Sequence, residues 1–243
     1  MRAVLMLHGV DASGSVLSVT PGQLRSLVQG IRAARHEIVP LSELLAGGTP
    51  DRVALSFDDG FRSVYEGALP VLQEEGVPAV LFLTTGFVGG YNDWPGQPAW
   101  APRQPMLDWS QVEALQRAGW AVEAHTRSHP DLRALPEPAI LEEMEAANRT
   151  IEQHLGRRPE LFAPPYGSLD PRVLRLAQGL YQHVLTTRMA PLDGLSAQAL
   201  REQGVPRLDA FYLRSPWLHA HFGGARFRGW LGLRAGLRKL RRA

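Results

Sequence analysis

The sequence predicts an α/β fold built on a parallel sheet or a closed barrel, on three observations. Short apolar runs recur along the chain, longer stretches with apolar spacing near 3.6 lie between them, and Gly, Pro, Asp and Ser punctuate the joins. A helix between two strands lets both strands run the same way, so this alternation reads as parallel. With 243 residues, 44% hydrophobic and 21% charged, the chain is long enough to bury one substantial core. Disordered, collagen-like and coiled-coil classes are excluded.

The elements follow in order. Residues 3–7 (AVLML) form an apolar run and a first strand, and 24–33 carry helical spacing. Strand 53–57 leads to helix 64–75, which Gly76 ends, and strand 79–83 follows. Residues 86–104 hold two Trp, four Gly and three Pro without periodicity, so they read as a long loop over one end of the sheet, of the kind that walls a substrate site. Helix 109–118 starts after Asp108 as N-cap and stops at Gly119, strand 121–124 follows, and helix 138–155 stops at Gly156. Strand 161–163, helix 171–177 behind the N-cap Asp170, strand 183–187 and a weaker strand at 211–213 complete the pattern.

Three of these strands run into residues that carry chemistry. Val53-Ala-Leu-Ser-Phe-Asp-Asp-Gly60 ends an apolar strand on two adjacent carboxylates. Their repulsion and loss of water cost several kcal/mol unless a cation or a shared proton compensates. An Asp N-cap beside an exposed Asp is the bland alternative. His125-Thr-Arg-Ser-His129 follows a second strand, and imidazoles four residues apart meet on one face of a helical turn, where both can grip one metal ion. Surface decoration is the alternative there. Ligands collect at the carboxyl ends of strands in parallel α/β folds, so the His pair is expected to converge with Asp58 and Asp59. Two His and one carboxylate leave coordination positions open, as hydrolytic zinc requires, and without cysteine any metal must use such ligands. Phe162-Ala-Pro-Pro-Tyr-Gly167 is a rigid turn that either aims the Tyr166 main-chain N–H at a developing oxyanion or merely joins a strand to a helix.

SFDDG at 56–60, HTRSH at 125–129 and PPYG at 164–167, in this order and each after a strand, resemble the first three motifs of the polysaccharide deacetylases, the NodB-homology domain of carbohydrate esterase family four. The resemblance runs from about residue 3 to residue 190. It implies a distorted (β/α)7 TIM-like barrel with a divalent metal at the carboxyl ends of its strands, zinc foremost and Co, Mn or Ni as alternatives. Asp59, His125 and His129 would hold the ion, and Asp58 would be the general base. Tyr166 would share the oxyanion with the metal. Pro165 and Tyr166, with Trp94 of the long loop, are the candidates for contact with substrate.

Two departures from the family pattern stand out. The usual general acid is a His on a C-terminal strand of the form Leu-x-Leu-x-His, which residues 205–221 do not reproduce. Val4-Leu-Met-Leu-His8 has that shape at the other end of the chain, so the sequence resembles the circularly permuted relatives, with His8 as the expected acid; a hydrogen bond from His8 to a buried carboxylate is the alternative. The Arg that precedes Pro-Pro-Tyr in the family is Ala163 here, leaving Arg62, Arg188 and Arg207 as candidates to replace it. The implied function is metal-dependent N-deacetylation of an amino sugar in a glycan or glycoconjugate. An O-acetyl carbohydrate esterase and an inactive carbohydrate-binding barrel are the alternatives.

Eight basic and no acidic residues follow Ala210, while the rest of the chain has 18 basic against 24 acidic residues, a net of −6. Residues 1–225 are therefore read as the barrel and 226–243 as a basic amphipathic helix or tail. Phe227, Trp230, Leu231, Leu237 and Leu240 fall near one helical face, which either packs on the barrel or lies on an anionic membrane surface. The N-terminal apolar run is too short for a secretory signal, so a cytoplasmic location is expected, with an N-acetylated glycan or lipid-linked sugar as the partner. Nucleic acid is not expected, because the acidic body repels phosphate.

Overall fold

The computed structural model describes residues 1–98 and 100–240, the side chains of 237–240 excepted. Its strands are β1 (Ala3–Leu7), β2 (Gly9–Val10), β3 (Ser18–Val19), β4 (Glu37–Ile38), β5 (Arg52–Phe57), β6 (Val80–Leu83), β7 (Ala121–Ala124), β8 (Leu161–Phe162), β9 (His183–Val184) and β10 (Leu208–Asp209). The helices are α1 (Pro21–Ala33), α2 (Leu41–Ala46), α3 (Leu69–Glu74), α4 (Trp109–Arg117), α5 (Glu137–Leu155), α6 (Pro171–Gln178), α7 (Ala197–Gln203), α8 (Pro216–Ala220) and α9 (Ala225–Leu240). A wider helical turn, Val64–Ala68, leads straight into α3.

Seven strands follow one another in the order β10-β1-β5-β6-β7-β8-β9, all parallel, and β4 adds to the N-terminal half of β5. The segment from Val205 to Asp209 closes the curl. Val205 bridges to Leu185 beyond β9, and β10 pairs with β1 in the register Leu5 to Leu208. This is the distorted seven-stranded barrel the resemblance implies.

Alternation along the strands decides what faces inward. Ala3, Leu5 and Leu7 of β1 and Val53, Leu55 and Phe57 of β5 belong to the large core beneath the helices, whereas Val4, Ala54, Val80 and Phe82 belong to a second core inside the barrel. Continuing that period by two residues at a time turns Met6 and His8, and Ser56 and Asp58, toward the interior.

Helix ends follow local chemistry. Asp108 accepts the Gln111 N–H at 2.9 Å and Asp170 the Val173 N–H at 2.8 Å, so both expected N-caps form. Gly76, Gly119 and Gly156 take positive φ just past their helices. The strand expected at 211–213 is instead a turn of 3-10 helix over Ala210–Leu213, because the Asp209 carboxylate accepts the Phe211 N–H at 3.0 Å and starts a helical turn there. The strand lies just before it, in β10.

Over its described part, the apolar face of α9 is turned to the barrel. Phe227 and Leu231 are buried in the main core, and Trp230 packs against it. The Leu237 and Leu240 side chains lie outside the described residues. Among the described residues no helix is long and apolar enough to cross a membrane.

Candidate active site

At the carboxyl ends of the strands lies a cleft of about 110 Å³ bordered by His8, Asp58, Asp59, His125, His129 and Tyr166. Among the described residues five non-glycine residues have positive φ, and Asp59, Thr126, His129 and Tyr166 are four of them. Backbone strain of this kind persists only where the surroundings hold it.

The hydrogen bonds that hold it are identifiable. β1 and β5 pair through Leu7 and Phe57, and the Asp58 N–H donates to the Leu7 carbonyl at 2.9 Å, so His8 and Asp58 leave adjacent strand ends together. The Thr84 N–H donates to the Asp59 carbonyl at 3.1 Å, fixing the left-handed turn at Asp59. The His pair does not sit on a helical turn. Residues 125–130 are irregular, with Thr126 at φ 66° and His129 at φ 58°, and the Thr126 hydroxyl accepts the His129 N–H at 3.0 Å. Glu143 of α5 accepts the Arg127 and Ser128 N–H groups and the Ser128 hydroxyl at 2.6–3.0 Å, which holds the segment in place of helical bonds. Gly86 passes so close that a Cβ there would stand 2.6 Å from the Arg127 carbonyl oxygen.

His125 Nε2 and His129 Nε2 each lie 3.2 Å from the same oxygen, Asp59 Oδ1, and all three residues are buried. His125 Nδ1 is 2.6 Å from the Ala163 carbonyl, so Nδ1 carries the proton and donates to it. With its proton on Nδ1, a neutral ring would present the Nε2 lone pair to an anionic oxygen. Only a shared cation or proton reconciles that arrangement, and the set of two imidazoles and one carboxylate suits a divalent transition metal. Burial pushes the His129 imidazole down, against the pull of Asp59, which keeps its ring available as a neutral ligand. Burial pushes the Asp59 carboxyl up, but the two imidazoles prevail and hold it well below the usual carboxylate range.

Arg207 resolves the choice among three arginines. Its guanidinium meets Asp58 as a two-pronged fork, Nη1 to Oδ1 and Nη2 to Oδ2 both at 2.7 Å, with both residues buried. Nε also donates to the Thr186 carbonyl and Nη1 to the Ser56 hydroxyl. Burial raises the Asp58 carboxyl, and Arg207 with the neighbouring imidazoles brings it below its ordinary value. Arg188 binds Gln203 and Gly204 instead, and Arg62 lies in the field of Asp108.

The remaining residues divide. Tyr166, half exposed at φ 58°, borders the cleft, as does Trp94, which is buried and stacked on the His129 ring at 4.1 Å. The proline at the wall is Pro164; Pro165 is buried and does not border the cleft, because the turn directs it inward. Gln97, Pro98, Trp100 and Ala101 of the long loop also border the cleft, so the loop does lie over that end of the barrel. A larger cavity, about 410 Å³, opens at the opposite ends of the strands. Its buried carboxylate, Glu123, already accepts Arg157 and the Glu160 and Leu161 N–H groups, leaving little for chemistry.

Residues 46–184, more than half of the chain, match the polysaccharide deacetylase family, and the chain belongs to it. Among curated relatives, a chitin deacetylase of Pestalotiopsis sp is 29% identical over 160 residues, 65% of this chain and 49% of that protein. A poly-beta-1,6-N-acetyl-D-glucosamine N-deacetylase of Staphylococcus aureus is 24% identical over 167 residues, 63% of this chain and 55% of the relative. The chain thus spans about half the length of these relatives. Among solved structures, the Streptococcus pyogenes deacetylase PplD, determined with acetate, superposes with a TM-score of 0.74 at 20% identity, covering 89% of this chain and 95% of that one. IcaB from Ammonifex degensii gives 0.71 at 22%, covering 90% and 98%. At these identities the likeness establishes a shared fold.

Proposed function

We propose that this chain is a metal-dependent deacetylase that hydrolyses the N-acetyl group of an amino sugar in a glycan, releasing acetate and a free amine. The observation that carries the reading is the juxtaposition of two buried sets: Asp58 forked by Arg207, and beside it one oxygen of Asp59 lying 3.2 Å from the Nε2 atoms of both His125 and His129.

A divalent cation held by Asp59, His125 and His129 supplies, when bound, Lewis acidity at the acyl carbonyl and acidifies a nearby water toward neutral pH. Asp58, kept ionised by Arg207, takes the proton of the attacking water as its oxygen adds to the acetyl carbon. Each Asp58 oxygen accepts one guanidinium N–H and retains a lone pair for that proton. The Tyr166 N–H stabilises the oxyanion, and Trp94 holds the His129 ring and walls the acetyl group. His8, which leaves the strand end next to that of Asp58 and borders the same cleft, protonates the amine as the C–N bond breaks.

Acetate release from N-acetylated oligosaccharides tests the reading. Wild type is expected to release acetate, with Asp58→Asn slowed by roughly 10²–10⁴-fold and His8→Ala slowed more on amides than on activated acetate esters, whose leaving groups need no proton. Faster hydrolysis of O-acetylated than of N-acetylated sugars, with His8→Ala unaffected, would replace this reading with the esterase one.

A further inference from the structure

We propose that Glu143 of α5, which lies outside the cleft, is a positioning residue that sets how His129 stands toward His125 and Asp59, and with it how tightly a divalent cation is held; this rests on the deacetylase reading above. The two imidazoles are anchored unequally. The His125 N–H donates to the Leu83 carbonyl of β6 at 3.1 Å, and its ring donates to the Ala163 carbonyl just past β8 at 2.6 Å. Both ends of that residue are tied to the sheet. His129 lacks the second anchor, for its Nδ1 finds no hydrogen-bond partner among the described residues.

The place of the His129 ring is therefore set by the backbone of residues 126–128. That backbone is strained, with Thr126 and His129 both in the left-handed region, and it needs outside restraint. One restraint comes from the segment after β6, where the Thr85 N–H donates to the Thr126 carbonyl at 3.3 Å and the Gly86 N–H to the Arg127 carbonyl at 2.8 Å. The other is Glu143. Its Oε2 accepts the Arg127 N–H at 3.0 Å and the Ser128 N–H at 2.8 Å, and its Oε1 accepts the Ser128 hydroxyl at 2.6 Å. Its main-chain carbonyl takes a further share of the Arg127 N–H at 3.1 Å.

Hydrogen bonds to an ionised acceptor are short and strong, and this carboxylate spends both oxygens on the link between the two histidines. Its neighbours on α5 do not share the task. Glu142 pairs with Arg149 and Glu145 with Arg158. Neither Glu143 nor Ser128 borders the cleft, so any effect of either on the reaction passes through the loop to His129. Groups that orient a metal ligand tune affinity for the metal without touching it.

The test measures Zn²⁺ affinity of metal-stripped protein by competition with a chromogenic chelator, beside the urea midpoint of the stripped protein and acetate release at saturating Zn²⁺. Glu143→Ala is expected to bind Zn²⁺ about 10- to 100-fold more weakly than wild type, with the KM for an N-acetylated oligosaccharide unchanged. Glu143→Gln should restore most of the affinity, because its amide oxygen can accept both N–H groups while its NH₂ donates to the Ser128 hydroxyl. Glu142→Ala should bind as wild type does. Ser128→Ala removes one bond and should weaken binding by about two- to tenfold at an unchanged urea midpoint, which carries the test even where Glu143→Ala does not fold. A loss in Glu143→Gln as large as in Glu143→Ala would overturn the proposal, since charge rather than hydrogen bonding would then be at work. Acetate release by wild type, with Zn²⁺ affinity undiminished in Glu143→Ala and Ser128→Ala, would remove the positioning role and leave the deacetylase reading. Affinity that falls in these variants as expected, in a wild type that releases no acetate, would leave the positioning role and remove the reading.

Discussion

Arg207 reaches Asp58 across 149 positions of sequence, and the pair is buried with no solvent to screen it. Removing one partner of such a pair leaves an uncompensated charge, so Arg207→Met is expected to cost about 3–5 kcal/mol in urea unfolding. Adding Asp58→Asn to it should return a large part of that loss, since the orphaned charge is gone. A double variant no more stable than Arg207→Met would show that the cost comes from packing. Asp58, Asp59, His125, His129 and Tyr166 were legible in the sequence, because each ends an apolar strand or opens the turn after it. His8 was legible through its strand alone. Arg207 was one of three candidates, because its partner is fixed by barrel closure rather than by spacing. Glu143 was invisible, since nothing in an acidic helix face tells which carboxylate will reach a distant loop.

At the scale of elements, the site is a set of strand-to-loop turns held against their own backbone preferences, and the helices behind them supply the restraint. The wide turn before α3 meets β2 so closely that a Cβ on Gly67 would stand 2.1 Å from the Val10 carbonyl oxygen. Gly67→Ala should therefore destabilise by about 1–3 kcal/mol, read from the thermal or urea midpoint. An unchanged midpoint would mean that β2 yields freely. The docking of α9 offers a pH test. Asp193 accepts the Arg2 N–H and the Arg228 guanidinium, both at 2.7 Å. Burial raises its carboxyl, and these two donors bring it below the ordinary value. A depressed folded-state pKa contributes stability above the unfolded pKa and loses it as pH falls through the folded one. Asp193→Asn should thus cost under about 1 kcal/mol at pH 7, the pair being partly exposed, and the difference should vanish in acid. A gap that widens on acidification would reverse the assignment. The short strands β2, β3 and β4 escape sequence reading because, unlike the equally short β8 and β9, they lie in no longer apolar run. The 211–213 run reads as a strand because its apolar composition carries no sign that the Asp209 carboxylate caps a helical turn there.

For the molecule as a whole, the alternation of strands and helices was enough to anticipate a parallel sheet, but not its closure. Closure depends on Val205 to Asp209 lying between β9 and β1, which brings Arg207 into the barrel beside Ser56 and Asp58. It also lets residues far apart in sequence meet at one rim, so that His8 and Tyr166 border one cleft. Among the described residues the same closed frame presents one buried donor set, Asp59 with His125 and His129, on which the account depends. The decisive measurement is the divalent-metal content of purified wild type and Asp59→Ala, by inductively coupled plasma mass spectrometry, with acetate release followed on the same samples. The account predicts roughly one ion per chain in wild type, lost together with activity in the variant. A wild-type protein that holds no ion, takes none up on reconstitution and releases no acetate would contradict it.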